Sequence, residues 1–241
     1  MSSDSGSGGD RPVLYSYWRS SCSYRVRIAL AFKGIDYEYR AVNLAAKGGG
    51  EQHQTEYERL NPMKAVPTLL IDGAAIGQSV AILDSLNGLE QETRPEPSLL
   101  PAAGQGATAA VQRAKVRQLV QIICADTQPL QNSSVLAAIA GDDEEGKAAF
   151  ARKWIERGLR AYEKTIETTA GRYSVGDEVT LADLALVPQL YNARRFGIDV
   201  TTAFPALARI DEALQQLPAF RAAHPDAQID APASQQQGPQ C

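Results

Sequence analysis

The sequence predicts a small α/β domain followed by an all-helical domain. Three observations lead there. The first third alternates strand-like and helix-like segments in the order β-α-β-α-β-β-α. Residues Gln91 to Gly106 then change composition, with Pro95, Pro97, Pro101 and two glycines, and everything beyond them has helical periodicity. The expected boundaries are a flexible tail over 1–11, an α/β domain over 12–90, a linker over 91–106, a helical domain over 107–225 and a second flexible tail over 226–241.

Val13 to Tyr17 (VLYSY) is rich in strand formers and follows Pro12, which suits a strand start. Ser23 to Phe32 carries Val26, Ala29 and Leu30 at helical spacing, and Lys33-Gly34 closes it as a helix C-terminus. Tyr37 to Val42 alternates and reads as a second strand, and Glu51 to Leu60 as a polar helix. Thr68 to Ile71 is a short apolar strand after Pro67. Asp72-Gly73 is a hairpin turn, with Ala74 to Ile76 as the return strand. Ser79 to Leu86 is helical, with Ser79 placed to cap it. With a proline just before its third strand, this order is the thioredoxin-like one.

Beyond the linker, Ala107 to Leu130 carries Val111, Val116, Leu119, Val120 and Ile123 as one helical stripe. Gly141 to Glu145 reads as a turn and Lys147 to Ala170 as a long amphipathic helix. Thr180 to Ala193 opens with the Thr180–Asp183 capping pattern, so Asp183 reads as a cap rather than an acid catalyst. Pro205 to Leu217 is a further helix with Pro205 in its first turn.

At 241 residues the chain can bury a core without disulfide or metal staples. Three cysteines allow at most one internal pair, which argues against a disulfide scaffold and for a reducing compartment. Lys plus Arg number 24 and Asp plus Glu 28, a net charge of −4, which argues against broad electrostatic binding to nucleic acid. His53 and His224 lie far apart and no Cys/His cluster has zinc spacing, so no metal is expected. No apolar run reaches the ~20 residues a membrane span needs. Residues 1–11 carry no secretory or transit pattern, and the expected location is the cytosol.

Chemistry concentrates between the first strand and the first helix, at Arg19-Ser20-Ser21-Cys22-Ser23. Backbone N–H groups at a helix start favour an anion, and a thiolate is one; a hydroxyl there can stabilise it. A cis proline at Val66-Pro67 would present the Val66 backbone to an extended peptide. Gln78-Ser79 adds a polar side chain and a helix start, suited to a carboxylate and its amine. Together these describe a site for a small thiol peptide.

The chain resembles the zeta class of glutathione transferases, whose founding activity is maleylacetoacetate isomerase. The resemblance rests on Ser20-Ser21-Cys22-Ser23-Tyr24-Arg25-Val26-Arg27-Ile28-Ala29-Leu30 and on Asn61-Pro62-Met63-Lys64-Ala65-Val66-Pro67-Thr68-Leu69. Gln128-Pro129-Leu130-Gln131-Asn132 and Gly176 to Leu184 extend it, and it runs from about Pro12 to Pro225. It implies the glutathione transferase fold, a thioredoxin-like glutathione-binding domain with an all-α domain that completes the substrate pocket, and a homodimer. It implies that Ser20, Ser21 and Cys22 line the reacting thiol and that Val66 pairs with the cysteinyl backbone of glutathione. Gln78 and Ser79 would hold the γ-glutamyl end with Gln52 nearby. Gln128, Asn132, Ser133 and Ser134 would extend the site, and Arg195 would bind a substrate carboxylate, with Arg19 a second candidate.

The implied reaction, in tyrosine breakdown, converts maleylacetoacetate to fumarylacetoacetate. Reversible addition of a glutathione thiolate makes the cis double bond single, so that it can rotate before the thiolate leaves. Ser20 and the helix start would keep the thiol ionised, and Arg195 would steady the developing enolate. Cys22 reads either as a nucleophile, with thioltransferase side activity, or as a small pocket-lining residue. Arg25 occupies the usual CxxC partner position, which excludes a dithiol site, and its own role stays open. Arg27 reads as a structural ion pair or a solvated stem. Tyr15, Tyr17 and Cys124 read as packing, His53 as a surface residue, Met63 and Lys64 as loop-shaping, and Cys241 as inert. Tyr24 replaces a usual Trp. Arg194 stands where the family often has an acid, and its extra charge would strengthen binding of acidic substrates or alter which one is preferred. Two other functions use the same fold: glutathione-dependent dehalogenation of α-haloacids, and a non-catalytic ligand carrier, against which the intact thiolate turn argues.

Overall fold

A computed structural model describes residues 11–88, 97–102 and 107–235. The chain forms two compact units, one made of the residues up to Ser85 together with those from Ala223 on, the other of Leu86–Ala222. The expected tail over residues 1–10 and Cys241 lie outside the described residues. Arg11, also assigned to that tail, pairs with Asp36 at 2.9 Å.

The first unit is built on strands β1 (Val13–Ser16), β2 (Glu38–Ala41), β3 (Thr68–Ile71) and β4 (Ala74–Gly77) in the order β2-β1-β3-β4. β1 runs parallel to β2 and antiparallel to β3, and β3 antiparallel to β4. The parallel pair requires a crossover, supplied by α1 (Ser21–Phe32). Asp72 and Gly73 both have positive φ, 47° and 77°, the geometry of a tight two-residue hairpin turn. The expected polar helix over Glu51 to Leu60 divides into a 3-10 turn, Glu51–His53, and α2 (Thr55–Leu60), because Gln54 between them is extended at ψ 141°. α3 (Ser79–Gly88) follows the hairpin. Leu14, Val26, Ile28, Leu30, Leu69 and Ile82 are fully buried around the sheet.

Arg27 departs from both expectations for it. It is buried, and among the described residues its hydrogen bonds go to carbonyl and hydroxyl oxygens rather than to a carboxylate. Its guanidinium donates to Trp18 O at 2.9 Å, Tyr17 O at 3.3 Å, Ser16 Oγ at 3.3 Å and Ala223 O at 3.1 Å. Burial lowers its pKa, and these acceptors compensate the desolvation. Residues 226–235 depart from the flexible-tail expectation too. Pro225–Ala227 form a 3-10 turn, Ala231 is buried, and Asp230 accepts from Trp18 N at 2.9 Å and from the Tyr39 hydroxyl at 2.7 Å. Polar, proline-broken composition does not reveal that these residues satisfy backbone donors at the far end of the chain. Asp230→Ala orphans the Trp18 N–H and should lower stability by about 1–3 kcal/mol in chemical denaturation; an unchanged midpoint would show that water replaces the carboxylate.

The second unit is helical: α4 (Ala107–Cys124), α5 (Ser133–Ala140), α6 (Glu144–Ile166), α7 (Leu181–Arg195), α8 (Val200–Ala203), α9 (Pro205–Gln215) and α10 (Pro218–Ala223). α4 is shorter than the expected Ala107 to Leu130. Pro129 has no N–H to continue the helix, and Gln128–Gln131 form a 3-10 turn instead. α5, α8 and α10 were not expected from the periodicity; none exceeds eight residues. The acidic turn before α6 ends in a cap, as Asp143 Oδ1 accepts from Gly146 N at 2.9 Å. Two expected linker residues, Leu99 and Leu100, are buried, and Leu99 bonds Asn87 and Leu181. Gly158 on α6 admits Thr127, whose Oγ1 lies 1.9 Å from where a Cβ would stand.

α7 is the core helix, with 12 of its 15 residues buried. Its capping box is complete. Asp183 Oδ2 accepts from Thr180 N at 2.8 Å and Thr180 Oγ1 at 3.2 Å, and Oδ1 from Ser174 N at 2.9 Å. Burial pushes the carboxyl pKa up against these hydrogen bonds. Tyr162 on α6 joins the network, its hydroxyl donating to Ala182 O at 3.0 Å and lying 2.9 Å from Ser174 Oγ.

Candidate active site

In the first unit, Ser20 is the N-cap of α1. Its extended backbone (φ −68°, ψ 118°) lets Oγ accept from Ser23 N at 3.2 Å. A hydroxyl that accepts in this way keeps its own proton to donate elsewhere. The helix geometry leaves the N–H groups of Ser21 and Cys22 without intrahelical acceptors. Ser21 is buried and Cys22 half-buried, with no disulfide at either Cys22 or Cys124.

The Val66-Pro67 bond is cis and leads into β3. The loop before it is held by two residues that the sequence reading left without a role. Asn61 Nδ2 donates to Ala65 O at 2.8 Å and Thr68 Oγ1 at 3.0 Å, and the Tyr57 hydroxyl donates to Ala65 O at 2.7 Å. Tyr57, Val42 and Val66 form a small core that Tyr15 and Tyr17 cover, the packing role expected of those two tyrosines.

Gln78, not Ser79, sits at the N-cap of α3: its carbonyl accepts from Ile82 N at 3.0 Å and Ser79 is the first helical residue. The reason is Gln78's left-handed backbone, φ 65°, which ends β4 and leaves its side chain exposed. Such strained non-glycine residues cluster at functional sites. Ser79 Oγ accepts from Arg25 Nη1 at 3.0 Å, and the same nitrogen lies 3.7 Å from Cys22 Sγ. One guanidinium thus joins the start of α1 to the start of α3. Arg25 Nε and Nη2 are buried with no hydrogen-bond partner. Unpaired buried cationic donors beside a hydroxyl and a thiol fit an anionic thiol peptide such as glutathione. Gln52 is turned onto its own loop, donating to Gly49 O at 2.8 Å. Arg19 is exposed and lies over the Trp18 ring at 5.6 Å.

In the second unit, Gln128 is half-buried in its 3-10 turn. Asn132 caps α5, its Oδ1 accepting from Ser134 N at 3.0 Å and Ser134 Oγ at 2.9 Å, and Ser133 and Ser134 are exposed. Arg195 ends α7, exposed, donating to Asn192 Oδ1 at 3.0 Å and lying 5.7 Å over the Phe196 ring. Arg194 does not supply the extra charge expected of it, because it pairs with the buried Asp211 at 2.7 Å. Among the described residues no group of His, Cys, Asp and Glu could hold a metal, and no helix is long and apolar enough to cross a membrane.

Residues 19–89 match the profile of the glutathione S-transferase N-terminal domain, and residues 132–222 that of its C-terminal domain. The chain belongs to the glutathione S-transferase family. It is 51% identical over 222 residues to the probable maleylacetoacetate isomerase 2 of Drosophila melanogaster (92% of this chain, 91% of that one). It is 50% identical over 223 residues to the maleylacetoacetate isomerase of Rattus norvegicus (92% and 96%). Among solved structures, the maleylacetoacetate isomerase of Anaeromyxobacter dehalogenans with bound glutathione superposes with a TM-score of 0.79 at 47% identity, covering 92% of this chain and 98% of that one. A bacterial maleylpyruvate isomerase of the zeta class gives 0.81 at 40% identity, covering 91% and 100%.

Proposed function

We propose that the protein is a glutathione-dependent isomerase that converts maleylacetoacetate to fumarylacetoacetate. The observation that carries this reading is the Ser20 turn, where a capping hydroxyl with a donatable proton stands at a helix start beside Cys22. The kinship to isomerases at about half identity supports it. Glutathione, when bound, supplies a thiolate that adds reversibly to the cis double bond.

In this reading the Ser20 hydroxyl donates a hydrogen bond to the sulfur, keeping it ionised, and the N–H groups of Ser21 and Cys22 add the positive end of the helix dipole. Cys22 lines the sulfur's position. Val66 offers its backbone to the peptide, and Gln78 and Ser79 hold the γ-glutamyl carboxylate and amine. Gln52 shapes the neighbouring loop. Gln128, Asn132, Ser133 and Ser134 contribute polar groups to ligand binding, and Arg195 binds a substrate carboxylate, its planar head held by Asn192. Arg19 adds positive charge near the turn. The enzyme works as a cytosolic homodimer.

The test is fumarylacetoacetate formation from maleylacetoacetate with and without glutathione; a rate equal to the uncatalysed background would end the proposal. Dichloroacetate in the same assay measures the haloacid chemistry that these residues would also serve. Arg195→Ala should raise KM for maleylacetoacetate about tenfold or more, the worth of a charge-assisted hydrogen bond. Arg194→Ala, which removes a guanidinium already paired, should leave that KM unchanged. Equal KM values for both variants would place the carboxylate site elsewhere.

A further inference from the structure

Arg25 is 1% exposed, yet it is one of the largest buried side chains. No described carboxylate pairs with it, and two of its three nitrogens, Nε and Nη2, have no hydrogen-bond partner. Its neighbour on the same helix, Arg27, is as deeply buried but has four acceptors. Burying a cation with unmet donors destabilises a fold, and replacing it by an apolar residue of similar size is often neutral or stabilising. Arg25 is therefore poorly explained as a structural residue. Its third nitrogen makes two contacts, to Ser79 Oγ at 3.0 Å and Cys22 Sγ at 3.7 Å.

We infer that Arg25 is a positioning residue of the glutathione site, fixing the Ser79 hydroxyl for the γ-glutamyl carboxylate and the Cys22 sulfur at the thiol end. An arginine has donors only. When Ser79 Oγ accepts from it, the Ser79 proton must point elsewhere, and a carboxylate is the acceptor that suits it. The buried charge adds to that preference, because an anion arriving at Ser79 compensates a cation that the protein leaves unpaired. The thiol end is set by the same group, so the spacing between the two ends is held by one nitrogen, Nη1, of a rigid planar head.

This inference rests on the glutathione reading, and affinity measurements on the full chain separate the two. The probes are glutathione and 4-aminobutyryl-cysteinyl-glycine, which lacks only the γ-glutamyl carboxylate. Arg25→Met should weaken glutathione about tenfold or more, the loss expected when a charge-assisted contact goes. It should leave the decarboxylated analogue nearly unchanged and not lower the melting temperature. In a Ser79→Ala background, Arg25→Met should add little, since the effect passes through Ser79. Should Arg25→Met not fold, Arg25→Lys decides, with a smaller loss of the same selectivity expected because charge is kept and the planar head is not. Equal affinity of the variant and the wild type for glutathione overturns the inference alone, as does an equal loss for both probes. A wild-type protein that binds no glutathione overturns the reading and the inference together.

Discussion

Replacing Ser20 by glycine is expected to lower kcat/KM for isomerisation about 100-fold, the usual loss when one donor to a developing anion is removed. The melting temperature should hardly move, because glycine at an N-cap costs only a few tenths of a kcal/mol. The choice of glycine matters. Ser20 Oγ has two jobs, accepting from Ser23 N to cap α1 and, in the proposed reaction, donating a hydrogen bond to the thiolate. Ser20→Ala removes both and adds about 1 kcal/mol of lost capping, so its loss of activity would be mixed with a loosened helix start. Glycine separates them. Steady-state kinetics at saturating glutathione, with thermal denaturation alongside, make the comparison. A Ser20→Gly enzyme retaining more than about a tenth of wild-type kcat/KM would move thiolate stabilisation to Ser21 or Cys22.

The largest effect on stability is expected at Asp183. Its carboxylate accepts from Ser174 N and Thr180 N, both buried, and from the Thr180 hydroxyl. Asp183→Ala leaves two backbone donors without acceptors, each worth about 1–3 kcal/mol, so the total should be roughly 3–5 kcal/mol. In thermal denaturation this corresponds to a fall of about 10 °C. Asp183→Asn should fall between, since one amide oxygen can serve one donor while the amide N–H₂ faces the other. A loss below about 1 kcal/mol for Asp183→Ala would mean that the loop around Ser174 re-forms without it.

Much of the first unit could be read from the sequence because its signals are local. The Asp72-Gly73 turn fixes the hairpin, and Thr180 and Asp183 announce the start of α7 three residues apart. The Ser20–Cys22 turn is marked by its place between a strand and a helix. What could not be read depends on partners distant in sequence. Arg194 looked like a spare charge because its partner, Asp211, lies on another helix. Arg25 and Arg27 occupy the same helix two residues apart, and no periodicity says that one finds four acceptors and the other finds a serine and a sulfur. The cap of α3 shifted by one residue because a left-handed Gln78 is a property of backbone geometry, not of residue type. The short helices α8 and α10 lack the length over which helical spacing becomes visible.

The bond from Trp18 N to Asp230 spans 212 positions of the chain. Trp18 is two residues before Ser20, and Arg27, which grips the Trp18 carbonyl, also grips Ala223. The turn that the chemistry requires is therefore closed by Ala223 and Asp230, which are synthesised long after it. Domains generally fold as units, N-terminal first, during synthesis, but here the first unit lacks Ala223 and Asp230 until the residues of the second unit have been synthesised. The nascent chain should carry a sheet and helix α1 early and a competent reaction centre only once Asp230 has emerged, so release before that residue yields a protein that is partly folded and inactive.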